Sequence, residues 1–216
     1  MTMSDIKERL LNAAERIFEE QGLEAVSLRA VTGEVGVNIA AVNYHFGSKA
    51  ALLKAMTQRF FTSVNAEQLQ RLVALEERER SATVQELLLA YAAPIFALFD
   101  TPRGREWVQA WMMATRAEQP SGHINTRLEG SDGAEVTSRY YEALRRLLPH
   151  IGADELWWRF ERANNLLMAN QGRRAMTSLT GTHIEKRDER AWLVTFLAGA
   201  LQSPSTAMEE GVHQPE

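Results

Sequence analysis

Apolar residues in the first part of this chain recur every three to four positions rather than every two. Ile6, Leu10, Ala13, Ala14, Ile17 and Phe18 fall on one helical face, with Lys7, Glu8, Glu15, Arg16 and Glu19 largely off it. That spacing predicts a first helix, capped by Ser4 or Asp5 and stopped by Gly22 in the αL conformation that glycine adopts cheaply. Ser27 is a good N-cap for a short second helix, Leu28 to Val35, which Gly36 breaks. Asn38 caps a short third, about Ile39 to His45. Gly47 and Ser48 end it and open a long fourth, roughly Ser48 to Arg80.

The same periodicity predicts helices at about Thr83–Phe99, Gly104–Arg116, Gly133–Leu148, Ala153–Ser178 and Lys186–Leu201. Asp100-Thr101-Pro102, Glu118 to Gly122, Pro149 to Gly152 and Thr180-Gly181 separate them. No segment alternates with period two between hairpin-type turns, so an all-α fold without a sheet is expected. The expected division is a three-helix module over residues 1–53, a larger helical domain over 54–202, and a disordered tail over 203–216 that carries Pro204, Gly211 and Pro215. Leu72 and Val73 mark the joint near the end of the fourth helix.

Composition narrows the class. Of the 216 residues 45% are hydrophobic and 24% charged, the balance of a soluble globular chain. No run approaches the roughly 18–20 apolar residues of a membrane span, and the N-terminus lacks the apolar core of a secretory signal, so a cytoplasmic location is expected. With no cysteine, disulfides and thiolate metal sites are out. The net charge of −4 argues against a generally basic coat, so the distribution matters more. Residues 1–60 hold seven acids and seven Lys or Arg, yet none of the acids lies beyond Glu34, and 35–66 is acid-free with Lys49, Lys54 and Arg59. An anion can approach that stretch without like-charge repulsion; chance explains it equally well.

The second and third helices are joined by Gly36-Val37-Asn38, the tight glycine-containing turn of a helix-turn-helix. In this motif the second helix of the pair puts its N-terminal residues against base edges. Asn38, Ile39, Ala40 and Ala41 form the leading turn, small enough to lie deep in a major groove. Ile39, Ala40 or Ala41 can touch thymine methyls, and Asn43 can pair with an adenine edge. Tyr44 and His45 offer donors to phosphates. Ser27 and Arg29 hold a phosphate at the start of helix two, and Lys49 clamps another. Leu28, Val31, Val35, Val37, Val42 and Phe46 should form a small core with Ile17 and Phe18. Phe46 reads as core rather than contact; the Tyr44 ring is open between packing inward and facing out.

The runs Ala13-Ala14-Glu15-Arg16-Ile17-Phe18-x-x-x-Gly22 and Leu28-Arg29-x-Val31, with Gly36 to Lys49 and then Leu52, resemble the DNA-binding domain of the TetR family. The resemblance spans about Ile6 to Leu53, a quarter of the chain. It implies an all-α homodimer with an N-terminal reader and a larger C-terminal domain that binds a small molecule and supplies the dimer interface. Two departures stand out. Asn43 occupies the position often held by Tyr, with Tyr44 after it, and Gly33 sits inside helix two at a cost of about 1 kcal/mol against Ala. Asn38 to Lys49, together with Asp154-Glu155-Leu156-Trp157-Trp158-Arg159, resembles more loosely the branch that responds to long-chain fatty acids or acyl thioesters.

In the C-terminal domain Phe96, Leu98, Phe99, Trp107, Trp111 and Met112 read either as core or as the wall of an apolar pocket, with Arg116 on the surface or facing a ligand carboxylate. Asn164 and Asn165 interrupt an apolar run, and their amides need partners on another helix, the dimer mate or a ligand. Trp157, Trp158, Phe160, Leu166, Leu167, Trp192, Leu193, Phe196 and Leu197 give the last two long helices more apolar surface than one bundle face needs, and a four-helix interface between two copies is expected there, with Trp157, Leu166, Leu167, Trp192 and Phe196 in it. The five histidines are scattered, and no Gly-x-Ser-x-Gly, Walker or GxGxxG run appears, so no catalysis, cofactor or metal is expected. The expectation is a repressor released from a palindromic duplex operator by a small hydrophobic or acyl-type effector, with no membrane partner. The alternative is a small-molecule carrier on a regulator fold that no longer binds DNA.

Overall fold

Helix-ending glycines and helix-opening hydroxyls divide the chain where its pattern says they should. The computed structural model describes residues 3–118, 132–169 and 185–205, and the regular structure among them is helical. The helices are α1 (Met3–Gln21), α2 (Leu28–Val35), α3 (Ile39–Phe46), α4 (Lys49–Glu76), α5 (Val84–Phe99), α6 (Pro102–Glu118), α7 (Asp132–Leu147), α8 (Ala153–Ala169) and α9 (Lys186–Gln202), with a 3-10 turn at Leu23–Ala25. The expected extension of α8 to Ser178 and the tail beyond Ser205 lie outside the described residues.

Several boundaries differ from expectation. Gly22 has a positive φ of 89° but a ψ of 176°, so it turns the chain through an extended mirror conformation rather than αL. The fourth helix stops at Glu76, because Arg78 and Arg80 turn to the Glu86 carboxylate instead of continuing the spiral. That carboxylate also closes a capping box at the start of α5: Thr83 N–H donates to Glu86 Oε2 (2.9 Å) and Glu86 N–H donates to Thr83 Oγ1 (3.2 Å). α6 starts at Pro102, where a missing N–H costs nothing.

The helices bury two cores. The first collects Leu10, Phe18, Val31, Val42, Leu52 and Met56 from α1 to the first turns of α4. The second packs Leu72, Leu88, Tyr140, Leu156 and Phe160 from the end of α4 and from α5, α7 and α8, together with Leu197 of α9. α4 runs unbroken through both, so the expected boundary at residue 53 falls inside a helix, and the first core reaches past it to Met56. It also takes Trp107, Ala110 and Ala114 from α6. Trp107 lies flat on Phe60 of α4 (centroids 4.1 Å apart, 6° between planes) and 4.2 Å from the Phe18 ring.

The second core contains a buried polar strut. Gln68 Nε2 of α4 donates to the Tyr91 carbonyl (2.7 Å), Tyr140 Oη donates to the Gln68 carbonyl (2.8 Å), and Tyr91 Oη donates to Asn164 Oδ1 (3.1 Å). Burial pushes the Tyr91 phenol up to about 12 and raises that of Tyr140 as well. Among the described residues no single helix is long and apolar enough to cross a membrane.

Candidate nucleic-acid interface

Three helix N-termini are stapled by their own side chains at one end of the molecule. Ser27 Oγ accepts from Ala30 N–H (3.1 Å), Asn38 Oδ1 from Ala41 N–H (3.2 Å), and Ser48 Oγ from Ala51 N–H (3.0 Å). Each cap uses an oxygen as acceptor. The Ser27 hydroxyl proton and the Asn38 amide protons therefore stay available to donate to phosphate oxygens. Gly36 closes α2 in αL (φ 74°, ψ 33°) and turns the chain tightly into α3. Arg9 of α1 reaches across to donate to the Val35 carbonyl (2.9 Å), which ties the end of α2 to α1.

That framework sorts the α3 side chains by phase. Val42 is fully buried and Phe46 half-buried against the first core, with the Lys7 ammonium 5.7 Å from the Phe46 ring centre. Ile39, Ala40, Asn43 and Tyr44 point outward and are exposed, while Ala41 and His45 are half-covered. Tyr44 is 71% exposed and Ile39 46%, so neither apolar surface is packed by its own domain. The open question about Tyr44 is resolved outward: its ring stands edge-on to His45 at 5.1 Å. Arg29 at the head of α2 and Lys49 at the head of α4 are exposed, and Ser27 is half-buried. Every residue expected at the DNA face thus lies on α3 or at an adjoining helix start.

Charge around the face is more selective than the sequence implied. Glu34 of α2 is ion-paired with Arg16 of α1. Arg59, counted above among the cations of the acid-free stretch, is bound by α1 instead: it meets Glu8 (2.7 Å), Glu15 (3.0 Å) and Asn12 (2.9 Å). Burial raises the Glu15 carboxyl, and Arg59 pulls it the other way. Sequence order hid this, because the acids come from the first helix, far upstream of Arg59. The exposed cations at the mouth of the face are Arg29 and Lys49.

The other expected sites are rearranged. Phe96 is buried in the second core beneath the Arg190 guanidinium, and Trp111 and Met112 pack half-buried against it. Trp107, expected beside them, faces α1 and α4 instead, one helical turn away. The Arg116 side chain lies outside the described residues. Asn164 is buried and bonded to Tyr91, which selects the helix-to-helix reading, whereas Asn165 Oδ1 is buried with no partner. Of the expected interface set, Leu167 is 1% exposed and belongs to the second core, and Trp157 turns inward against Tyr141 (5.2 Å). Leu166, Trp192 and Phe196 do face out, and so does Trp158, whereas Phe160 and Leu197 are buried.

Two family models match this chain. The family described as "Bacterial regulatory proteins, tetR family" matches residues 10–56, and "Tetracyclin repressor-like, C-terminal domain" matches residues 89–200. The HTH-type transcriptional dual regulator CecR of Shigella flexneri is 36% identical over 89 residues, 38% of this chain and 39% of that protein. The match thus spans well under half of that curated relative. Among solved structures, the multidrug binding protein EbrR complexed with imidazole is 17% identical (TM-score 0.48), with 93% of this chain and 97% of that one covered. The TetR family transcriptional regulator PfmR from Thermus thermophilus is 16% identical (TM-score 0.45), with 91% and 99% covered.

Proposed function

This chain belongs to the TetR family, and on that premise we propose that it is a homodimeric transcriptional repressor that binds a palindromic duplex operator and is released from it by a small effector. One observation carries the DNA-binding half of the reading. α3 holds Ile39, Ala40, Asn43 and Tyr44 out of the core on a face with no acid of its own, flanked by the capped N-termini of α2 and α4. A buried helix would hide such residues, and a carrier has no use for them. In the proposed complex Ile39, Ala40 and Ala41 meet thymine methyls and Asn43 pairs with an adenine edge. Ser27, Arg29, Asn38, Tyr44, His45 and Lys49 hold the backbone.

The assembly follows from the outer face of the second domain. Trp158 and Leu166 on α8, with Trp192 and Phe196 on α9, leave four large apolar side chains 46–65% exposed. A second copy placed there by a twofold axis covers them and sets two readers side by side. The large apolar residues Phe96, Trp111 and Met112 of the second core favour an apolar or acyl-type effector. Binding there would alter the separation of the readers away from the 34–36 Å or so between successive major grooves. The protein then acts in the cytoplasm, on DNA, without catalysis.

Selection of bound fragments from a random duplex pool tests the reading. The expected product is a two-half-site palindrome; no enrichment even below physiological salt would instead favour a carrier. Mass spectrometry of the purified protein is expected to recover an apolar or acyl molecule, and recovery of polar metabolites alone would refute that effector class.

A further inference from the structure

α1 ends badly by its own means. Its last turn holds no basic residue and carries Glu19 and Glu20, which oppose the negative end of the helix dipole. The last four carbonyls of any helix also lack partners inside it. Gly22 N–H closes one of them, donating to the Phe18 carbonyl (2.9 Å), and the rest of the help comes from the far side of the chain. Arg103 in the first turn of α6 donates through Nη1 to the Phe18 carbonyl (2.9 Å) and through Nη2 to the Glu19 carbonyl (2.7 Å). Its guanidinium also lies 5.3 Å from the Phe18 ring centre and is oriented by Glu106 (2.7 Å). One turn on, Trp107 Nε1 donates to Glu19 Oε1 (2.8 Å). Gly22 leaves room for this grip: a Cβ there would stand 3.3 Å from Glu106 Oε2, on a backbone with φ of 89°.

The gripping end of α6 is itself locked to the second domain. α5 and α6 meet at a sharp corner, bent by 111°. A Cβ on Gly104 would lie 2.1 Å from the Leu98 carbonyl oxygen, so the two helices touch backbone to backbone. Thr101 Oγ1 accepts from Gly104 N–H (2.9 Å), and Arg105 donates to the Phe99 carbonyl (2.8 Å). From α9, Arg190 donates to the Phe96 carbonyl (2.9 Å) and pairs with Asp100 (2.8 Å). The same helix presents Trp192 and Phe196 on the outer face.

We propose that Arg103 and Trp107, in the C-terminal domain, are positioning residues for operator binding, which fix the orientation of the reader and thereby the half-site spacing that the protein accepts. The physical reason is the number of attachments. α4 joins the reader to the second domain as a covalent rod, and the apolar packing of Ala110 and Ala114 of α6 in the first core is non-directional, so neither by itself fixes the rotation of the reader. The grip of α6 on the end of α1 is a second attachment off that axis, and two attachments leave no free rotation. Neither residue touches DNA: both act through α1, on which α2 and α3 pack.

The inference rests on the operator-binding reading above, and the experiment separates the two. Full-length wild type and Arg103→Ala are titrated against duplexes carrying the selected half-sites with the spacer varied one base pair at a time, and against a single half-site. Wild type is expected to show one sharp spacing optimum. Arg103→Ala should lose about tenfold at that optimum and little at neighbouring spacings, with base preference in the single half-site unchanged. Arg103→Lys, which keeps one charged donor, should recover part of the optimum, and Trp107→Phe, which keeps the stack on Phe60 but loses the Glu19 bond, should flatten the profile less. An unchanged spacing profile in Arg103→Ala and Trp107→Phe overturns the proposal. So does loss of base preference in the single half-site, which marks the grip as support for folding alone. If wild type itself selects no palindrome, the operator reading fails and this inference falls with it.

Discussion

The two cores of this molecule differ in how far their buried polar groups reach for partners. In the reader, Thr32 and Thr57 are buried, and each hydroxyl turns back on its own helix, to Leu28 O (2.8 Å) and Lys54 O (3.0 Å). In the second domain Thr137 does the same, to Gly133 O (2.8 Å), but Gln68, Tyr91, Tyr140 and Asn164 bond from helix to helix, between residues 23 to 73 apart in the chain. The buried hydroxyls of the reader are therefore satisfied locally, and the long-range polar bonds from Arg9 to α2 and from Arg103 and Trp107 to α1 are made at helix ends. The second domain is specified by partners that find each other only once the chain has folded. That difference suits the proposed roles: a reader of fixed shape, and a domain whose interior registers what is placed within it.

Substitutions can break this contrast. The largest effect is expected from Phe18→Ala, which empties a fully buried site beneath Trp107 and Arg103 and should cost about 3–5 kcal/mol. Hydrogen exchange should show α1 to α3 losing protection well before α7 and α8; equal loss in both would mean that the two cores are one cooperative unit. Tyr91→Phe leaves Asn164 Oδ1 buried without its donor, with an expected cost of about 1–3 kcal/mol in urea unfolding. Thr32→Val, which removes only a bond within one helix, should cost about 1 kcal/mol or less. Equal costs for the two would erase the distinction between local and long-range polar closure.

Asn43→Ala sharpens the contrast from outside the cores. Operator affinity should fall by about 1–3 kcal/mol at one half-site position, while stability stays within about 0.5 kcal/mol because the side chain is exposed. A uniform loss over all sequences would assign Asn43 to the backbone instead. Alkali should discriminate between the cores as well, since the reader core holds no tyrosine among the described residues. Tyr91 keeps its proton to about 12 when folded against 10.0 when unfolded, so its contribution is intact below pH 10 and is lost as the pH climbs towards 12. Unfolding followed from about pH 9 towards 12 should show a slope that Tyr91→Phe reduces; an identical slope would deny the burial.

The smallest effect belongs to the surface. Arg80 and Thr83 hold the Glu86 carboxyl well below its ordinary 4.5, so its contribution is present above that pH and fades as the pH falls below it. Melting of Glu86→Gln between about pH 6 and 3 is expected to fall less steeply than that of wild type. An equal fall would mean that Arg78 and Arg80 do not bind the carboxylate in solution.

What the sequence determined alone was the reader. α2 lies where Ser27 and Gly36 put it, and α3 overruns its expected end by one residue. Its exposed face follows from 3.6-residue periodicity and caps that act within four residues. The second domain was readable only as helices. Of the expected outer face, Leu167 lies inside and Trp157 is half-covered, while their chain neighbours Leu166 and Trp158 lie outside. One residue is about 100° of helix rotation, and an all-round apolar helix carries no mark of which side meets its neighbours. Tertiary structure made that choice. It also took Arg59 out of the basic stretch, and it turned Trp107 from an expected pocket wall into part of the grip on α1 beside Arg103. Caps and periods are written in adjacent residues; which distant helix fills a groove is settled by volume and hydrogen-bond closure across the whole chain.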